Sequence, residues 1–405
     1  MSSRPSAEPP LVELRRAEPL RPLVAAGPRA TAVVGGGGDL SVPIDTRGSP
    51  IDWGGVYGEG IRFLSGWSVR VVDGEREWGL PETLASLTAH RYGVASVHVA
   101  GELTLQQTIT PLETGAALPT LGRRIEIVSS DPTPRAVRVE TTFSPYLAPV
   151  LLEGIKPYVY EAATHAEQLR IGSHGYGLAL ASDPLPSHLA LDRASWIGGR
   201  RTGELREVLL DYDLRLAPNG RQTVAWILSG GFERDLGGAT AAIPAAFART
   251  EGWLDRSAAE FESWIALTPS MELPGLPAIE TAYRLARGAL RQLYHLAEPE
   301  LTGLVAGVPW YSAIWGRDLG WMLPAVTWLG DREWAERSLR CLFRYQAKTH
   351  LPLLGAAAGE IPMQLSGGPL FLYGTSDSSL YFPTVLQQLI ESGASPELRA
   401  ECAPG

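Results

Sequence analysis

The chain has 405 residues, 45% of them hydrophobic and 20% charged, with a formal net charge of −9, a balance that suits a globular protein of two or three domains. An acidic chain with no concentrated basic face excludes a nucleic-acid backbone as partner, and no apolar run approaches the roughly 20 residues that span a bilayer, which excludes a membrane protein. The two cysteines, Cys341 and Cys402, form no Cys-x-x-Cys pair and no histidine stands at ligand spacing, so neither a disulfide framework nor a zinc site is expected. No metal or cofactor is expected, and the expected compartment is the cytoplasm.

Residues 1–30, rich in Pro, Arg and Ala, lack the apolar core of a secretory signal and read as a disordered lead-in. From 31 to 240 the language is that of an antiparallel β-sandwich. Short runs of β-branched and aromatic residues end at turn signals: Trp67 to Val72 runs into Asp73-Gly74, and Leu103 to Ile109 ends at Pro111. Arg124 to Val128 and Ala136 to Glu140 read as further strands. Val208 to Leu216 and Thr223 to Leu228 read as a pair joined by the turn Ala217-Pro218-Asn219-Gly220. One face of each strand is expected to bury Val, Leu and Ile and the other to show Arg, Glu and Gln.

The periodicity turns helical after residue 240. Residues 241–274 read as a linker helix, Ala245 to Trp264, and a hinge that runs on through Pro274-Gly275-Leu276-Pro277. A helical domain follows over 275–405. Leu276, Ile279, Tyr283, Ala286, Leu290 and Leu293 form one apolar stripe. The next helix starts at Arg317 or Asp318 and stops at Gly330, with a kink at Pro324. Asp331 is placed to cap another, a further helix follows Ser376-Asp377, and Ser395-Pro396-Glu397 opens the last.

Helical hairpins whose polar and aromatic residues gather in the loops place function in those loops. Two stand out. Gly307 to Asp318 reads GVPWYSAIWGRD, with Trp310, Tyr311 and Trp315 around Arg317 and Asp318. Pyranose rings stack their C–H faces on aromatics while charged forks fix their hydroxyls, so this composition suits a sugar pocket. An aromatic core with one ion pair explains it equally well. Gly359 to Asp377, GEIPMQLSGGPLFLYGTSD, adds Glu360, Phe371, Tyr373 and Asp377; its plain alternative is a surface loop whose Asp377 caps the next helix.

Taken together, PWYSAIWGRDLGWMLPAVTWLGD, then GEIP, then YGTSDSSLYF resemble the catalytic domain of bacterial and archaeal glycogen debranching enzymes, the amylo-α-1,6-glucosidase family. IRFLSGWSVRVVDGE resembles the Arg-Phe-Leu-Ser-x-Trp strand of the β-sandwich that precedes the barrel there, and Asp45-Thr46-Arg47 is similar to a motif just before that strand. The resemblance implies an N-terminal β-sandwich followed by an (α/α)6 toroid with an inverting glucosidase site acting on an α-glucan or oligosaccharide. It implies that Asp377 is the general acid, with a pKa raised by burial against Tyr373 and Phe371. Trp315, Arg317 and Asp318 would hold the terminal glucose, Trp310 and Tyr311 would line the same pocket, and Glu360 and Tyr373 would complete its wall.

Pro277 to Gly405 has room for about five or six helices of ordinary length, roughly half of such a toroid. The resemblance therefore implies an incomplete barrel whose catalytic base has no counterpart in this sequence. A trehalase, glucoamylase or glucosylglycerate-type hydrolase of the same barrel, and a noncatalytic glycan-binding fragment, stay open beside the debranching reading, as does the oligomeric state. Other chemistries find no motif. There is no phosphate-binding Gly-x-x-x-x-Gly-Lys loop, Gly35 to Gly38 lacks a strand-then-helix context, and none of the seven histidines stands at triad-like spacing.

Overall fold

The computed structural model describes residues 12–15, 23–26, 30–34, 55–58, 61–112, 118–149, 160–165, 168–173, 175–191, 195–197, 200–203, 207–296, 301–307, 311–365 and 371–402. They fall into two compact units, one formed by 1–148 with 152–260 and the other by 149–151 with 261–405.

In the first unit the described strands form an eleven-stranded and an eight-stranded sheet. Alternation decides which face is buried. In Val208–Leu216, Val208, Leu210, Tyr212, Leu214 and Leu216 point inward and the residues between them face outward. The inward side chains of both sheets form one core, whose largest fully buried members are Trp67 and Trp226. Trp67 packs against Phe143 at 4.7 Å and edge-on to Trp226 at 6.0 Å. Trp226 Nε1 donates to Tyr212 Oη across the sandwich at 2.8 Å, so burying the indole leaves no orphan donor.

Three expectations change here. Val12–Arg15 and Leu23–Ala26, inside the expected disordered lead-in, form strands paired with Leu84–His90 and Ala30–Val34. Val208–Leu216 and Arg221–Phe232 are not hairpin partners: the first pairs with Arg135–Pro149, the second with Thr120–Ser129 and Tyr176–Asp183. The Ala217–Gly220 turn therefore carries the chain from one sheet to the other. Asn219 supplies its left-handed residue at φ 48°, and its N–H is held by Asp131 O at 2.8 Å. Third, Arg and Gln are not confined to the outer face. Arg123 and Gln107 lie buried in a chain of polar contacts: Arg123 donates to Trp67 O at 2.6 Å and Gln107 Oε1 at 2.8 Å, and Gln107 donates to Ser96 Oγ at 2.9 Å. Ser96 Oγ meets His98 Nε2 at 2.8 Å, and His98 Nδ1 lies 2.8 Å from Leu80 O. A carbonyl only accepts, so Nδ1 carries the ring hydrogen and the serine hydroxyl donates to Nε2. Burial, followed by the positive charge of Arg123 against the opposing Leu80 bond, pushes the His98 pKa down to about 4.

Helices α1 (Leu80–Thr83) and α2 (Leu236–Phe247) belong to this unit, and α3 (Trp253–Leu267) begins in it. The expected single helix over Ala245 to Trp264 is broken between α2 and α3, where Gly252 takes φ +79°.

The second unit contains α4 (Pro277–Arg291), α5 (Gly316–Trp328), α6 (Arg332–Arg344), α7 (Ser376–Glu391) and α8 (Pro396–Cys402). Leu319, Leu323 and Val326 of α5 meet Leu339 and Leu342 of α6, Val385 and Leu389 of α7 and Leu398 of α8 in one core. α5 ends at Gly330 as the sequence suggests, and α7 ends in the same way at Gly393. At Gly330 (φ +83°) and Gly393 (φ +88°) the chain turns left-handed. The pairs of bonds Gly330 N to Thr327 O with Asp331 N to Val326 O, and Gly393 N to Ile390 O with Ala394 N to Leu389 O, satisfy the last carbonyls. Asp331 occupies the N-cap position of α6 but makes no side-chain cap bond. α8 is capped instead by Ser395, whose Oγ accepts from Leu398 N at 3.3 Å, and Ser395 N and Oγ in turn donate to the two oxygens of Glu336 at 2.9 and 2.7 Å.

Candidate functional site

A small antiparallel sheet brings the two chemistry-rich loops together. Ile314–Trp315 pairs with Gln364–Leu365, which pairs with Phe371–Leu372. Gly316 N donates to Met363 O at 3.0 Å and Met363 N to Leu372 O at 2.8 Å. α5 begins directly after the first of these strands and α7 four residues after the last, so their N-termini emerge side by side. Helix packing then fixes the distance. A Cβ on Gly316 would lie 2.5 Å from Pro362 O and 2.7 Å from Ser378 Cβ, and one on Gly320, a turn later, 2.7 Å from Tyr381 Cβ. Only glycine at both positions lets α5 and α7 approach this closely.

The first turns of these helices carry the charges. Arg317 Nη1 lies 3.4 Å from Asp377 Oδ2, and its Nε lies 4.0 Å from Asp318 Oδ2. The side chains are 55% (Arg317), 35% (Asp377) and 37% (Asp318) exposed, which leaves all three open to a solute. Asp377 Oδ1 also accepts from Ser378 N at 2.8 Å. The Thr375 hydroxyl bond first, with the Ser378 N–H and the Arg317 charge and bond, holds the Asp377 carboxyl below the usual aspartate value against the opposing effect of burial. This reverses the expectation of a raised pKa, because Asp377 stands among donors at a helix N-terminus and not in an apolar pocket.

The remaining sequence candidates sit around this cluster in different states. Trp315 is half-buried, and its indole Nε1 is buried without a hydrogen-bond partner among the described residues. Tyr311, 58% exposed, stands edge-on to the Trp315 ring at 6.3 Å and 74°. Trp310 lies outside the described residues. Glu360 faces backbone, with Oε1 accepting from Gly374 N at 2.8 Å and Oε2 from Ala357 N at 2.9 Å. It ties the loop that leads into α7 and so holds the approach to Asp377. Tyr373 donates its hydroxyl to Tyr345 O, and burial, then the Glu360 charge, pushes its pKa up. Sequence reasoning missed Thr375 and Ser378, the donors that fix the charge of Asp377; the Thr-Ser-Asp-Ser run was the available signal. A cleft of about 310 Å³ between α5 and α7, lined by Pro324, Trp328, Val385 and Gln388 among others, contains none of Arg317, Asp318 or Asp377. No described group of His, Cys, Asp and Glu is arranged to hold a metal ion, and no described helix is long and apolar enough to cross a membrane.

No family profile and no curated protein sequence matches the chain. Solved structures do. A protein described as "putative kojibiose phosphorylase from human microbiome" superposes with a TM-score of 0.65 at 12% identity, over 91% of this chain and 53% of its own. A bacterial glucoamylase in complex with acarbose superposes with a TM-score of 0.60 at 12% identity, over 96% of this chain and 59% of its own. At that identity the likeness is one of fold: the succession of large antiparallel sheets and helices is shared with both. The chain spans between half and three-fifths of the length of these two proteins.

Proposed function

We propose that the chain carries the sugar-holding and acid-bearing part of a carbohydrate-active site of (α/α)6 type that acts on α-glucans, with hydrolysis of α-1,6 branch stubs, as in amylo-α-1,6-glucosidases, as the specific reaction. The observation that carries this reading is the meeting of Arg317 and Asp318 on α5 with Asp377 on α7, at two helix N-termini beside Trp315 and Tyr311. Arg317 and Asp318 offer charged forks to vicinal hydroxyls. Tyr311 presents an exposed ring for stacking, and the half-buried Trp315 ring stands edge-on beside it. In this reading Asp377 protonates the departing glycosidic oxygen while a second carboxylate, roughly 6.5–9.5 Å away, activates the water that attacks the anomeric carbon from the opposite face. The folds shared with a glucoamylase and with a protein described as a kojibiose phosphorylase support a glucan or glucobiose substrate.

A second reading, a noncatalytic glycan-binding chain, is favoured by one observation: the donors around Asp377 hold its pKa below the usual aspartate value, the opposite of the shift a general acid needs. Incubation of the chain with phosphorylase-limit dextrin, trehalose or maltotriose, with and without inorganic phosphate, separates these readings. Glucose from limit dextrin but not trehalose supports the debranching reading. Glucose from trehalose or maltotriose alone redirects it to another hydrolase, and glucose 1-phosphate formed only with phosphate redirects it to phosphorolysis. Saturable binding without turnover, lost in Trp315→Ala and unchanged in Asp377→Asn, supports the binding-only reading.

A further inference from the structure

One cation stands between two acids where α5 and α7 begin. The Arg317 guanidinium reaches Asp377 at 3.4 Å and Asp318 at 4.0 Å, neither at the short distance of a locked fork, and its side chain is more than half exposed. The other groups facing Asp377 are committed. The Ser378 N–H belongs to the α7 backbone and the Thr375 hydroxyl to its cap residue. On the loop side Glu360 is tied to Gly374 and Ala357, and Tyr373 to Tyr345. Asp318 shares its first turn with Arg317. Arg317 is therefore the charged partner of Asp377 that a side-chain rotation can remove.

We infer that Arg317 is a displaceable latch, paired with Asp377 while the site holds no sugar and drawn onto Asp318 and the hydroxyls of a sugar that enters, which removes one of the three groups that favour the charged form of Asp377 and eases its uptake of a proton. This rests on the sugar-site reading above. A pyranose offers adjacent hydroxyls to the guanidinium fork and displaces water from around Asp377, which disfavours the charged carboxylate. The step is a protonation: the carboxylate takes one proton from solvent and becomes the carboxylic acid that later gives it to the leaving oxygen. Arg317 stays charged throughout, acting as a positioning residue for the charge state of Asp377.

Binding of maltotriose, which has no titratable group of its own, to the full chain, measured by calorimetry at a pH of about 5 in two buffers of different ionisation enthalpy, tests this. The latch predicts uptake of a measurable fraction of a proton per maltotriose bound. In Asp377→Asn, titrated with maltotriose to saturation, the uptake disappears. It shrinks in Arg317→Gln, where Asp377 has lost its latch before the sugar arrives. Binding with the same heat in both buffers overturns the latch and leaves the sugar site standing. Uptake that persists in Asp377→Asn also overturns it, because the proton then goes elsewhere. Failure of maltotriose to bind overturns the sugar-site reading and the latch with it.

Discussion

Acidification to a pH of about 4.5 tests the buried polar chain of the sandwich, through His98. Its pKa falls from 6.5 in the unfolded chain to about 4 in the folded one, first because burial disfavours the imidazolium and then because Arg123 repels it, against the Leu80 bond. The neutral ring's contribution is complete above about 6.5 and is lost as the pH falls toward about 4, because the unfolded chain takes up the proton first. A gap of about 2.5 units at about 1.4 kcal/mol per unit bounds the effect near 3 kcal/mol, and between a pH of about 7 and one of about 4.5 roughly 2 kcal/mol of it is lost. Urea unfolding followed by circular dichroism at the two pH values reads this. His90 is shifted down by burial as well, so the comparison with His98→Gln is what isolates His98. The variant is expected to be less stable at neutral pH, by about 1–3 kcal/mol for the disturbed bonds, and to lose roughly 2 kcal/mol less on acidification. Equal pH dependence in the two proteins refutes the assignment of a buried neutral ring.

Three further outcomes concern helices and loops of the second unit, with one control in the first. Gly316→Ala places a methyl 2.5 Å from Pro362 O and 2.7 Å from Ser378 Cβ and is expected to cost about 1–3 kcal/mol of stability by thermal unfolding, whereas Gly237→Ala, with open space around its Cβ, is expected to leave it unchanged or slightly raised. Glu360→Leu removes both acceptors for Gly374 N and Ala357 N, so hydrogen exchange at Gly374 should quicken by about tenfold or more if the tie is worth a charged bond of roughly 1.5–3 kcal/mol. Glu336→Ala leaves Ser395 N and Oγ without their carboxylate; a loss of about 1–3 kcal/mol in urea unfolding is expected, and an unchanged midpoint would remove Glu336 from the support of α8.

The strands and helices of the two units were largely legible because burial imposes period on sequence. Val208–Leu216 alternates from end to end, and α5 and α7 end at glycines that turn left-handed. What was illegible depends on partners distant in sequence. The Ala217–Gly220 turn has the same composition whether it closes a hairpin or crosses between sheets; the pairing of Val208–Leu216 with Arg135–Pro149 decides it. The general expectation that Arg and Gln face outward fails at Gln107 and Arg123, which Ser96 and Trp67 O satisfy inside the sandwich. The same holds at the site. Arg317, Asp318 and Asp377 stood out as residue types, but the strands that join their loops are two residues long, too short for any periodicity. The depressed pKa of Asp377 owes part of its cause to Arg317, 60 positions away.

Titration of the full chain with maltotriose, followed by calorimetry, tests the central claim most directly, because it asks whether Arg317, Asp318 and Trp315 form a sugar site whatever chemistry follows. The account predicts saturable one-site binding. Affinity should drop at least tenfold in Asp318→Ala, by the roughly 1.4 kcal/mol or more expected for loss of a charged hydrogen-bond acceptor, and should be nearly unchanged in Asp377→Asn. Equal affinity for the wild type and Asp318→Ala, or no binding by either, would contradict it.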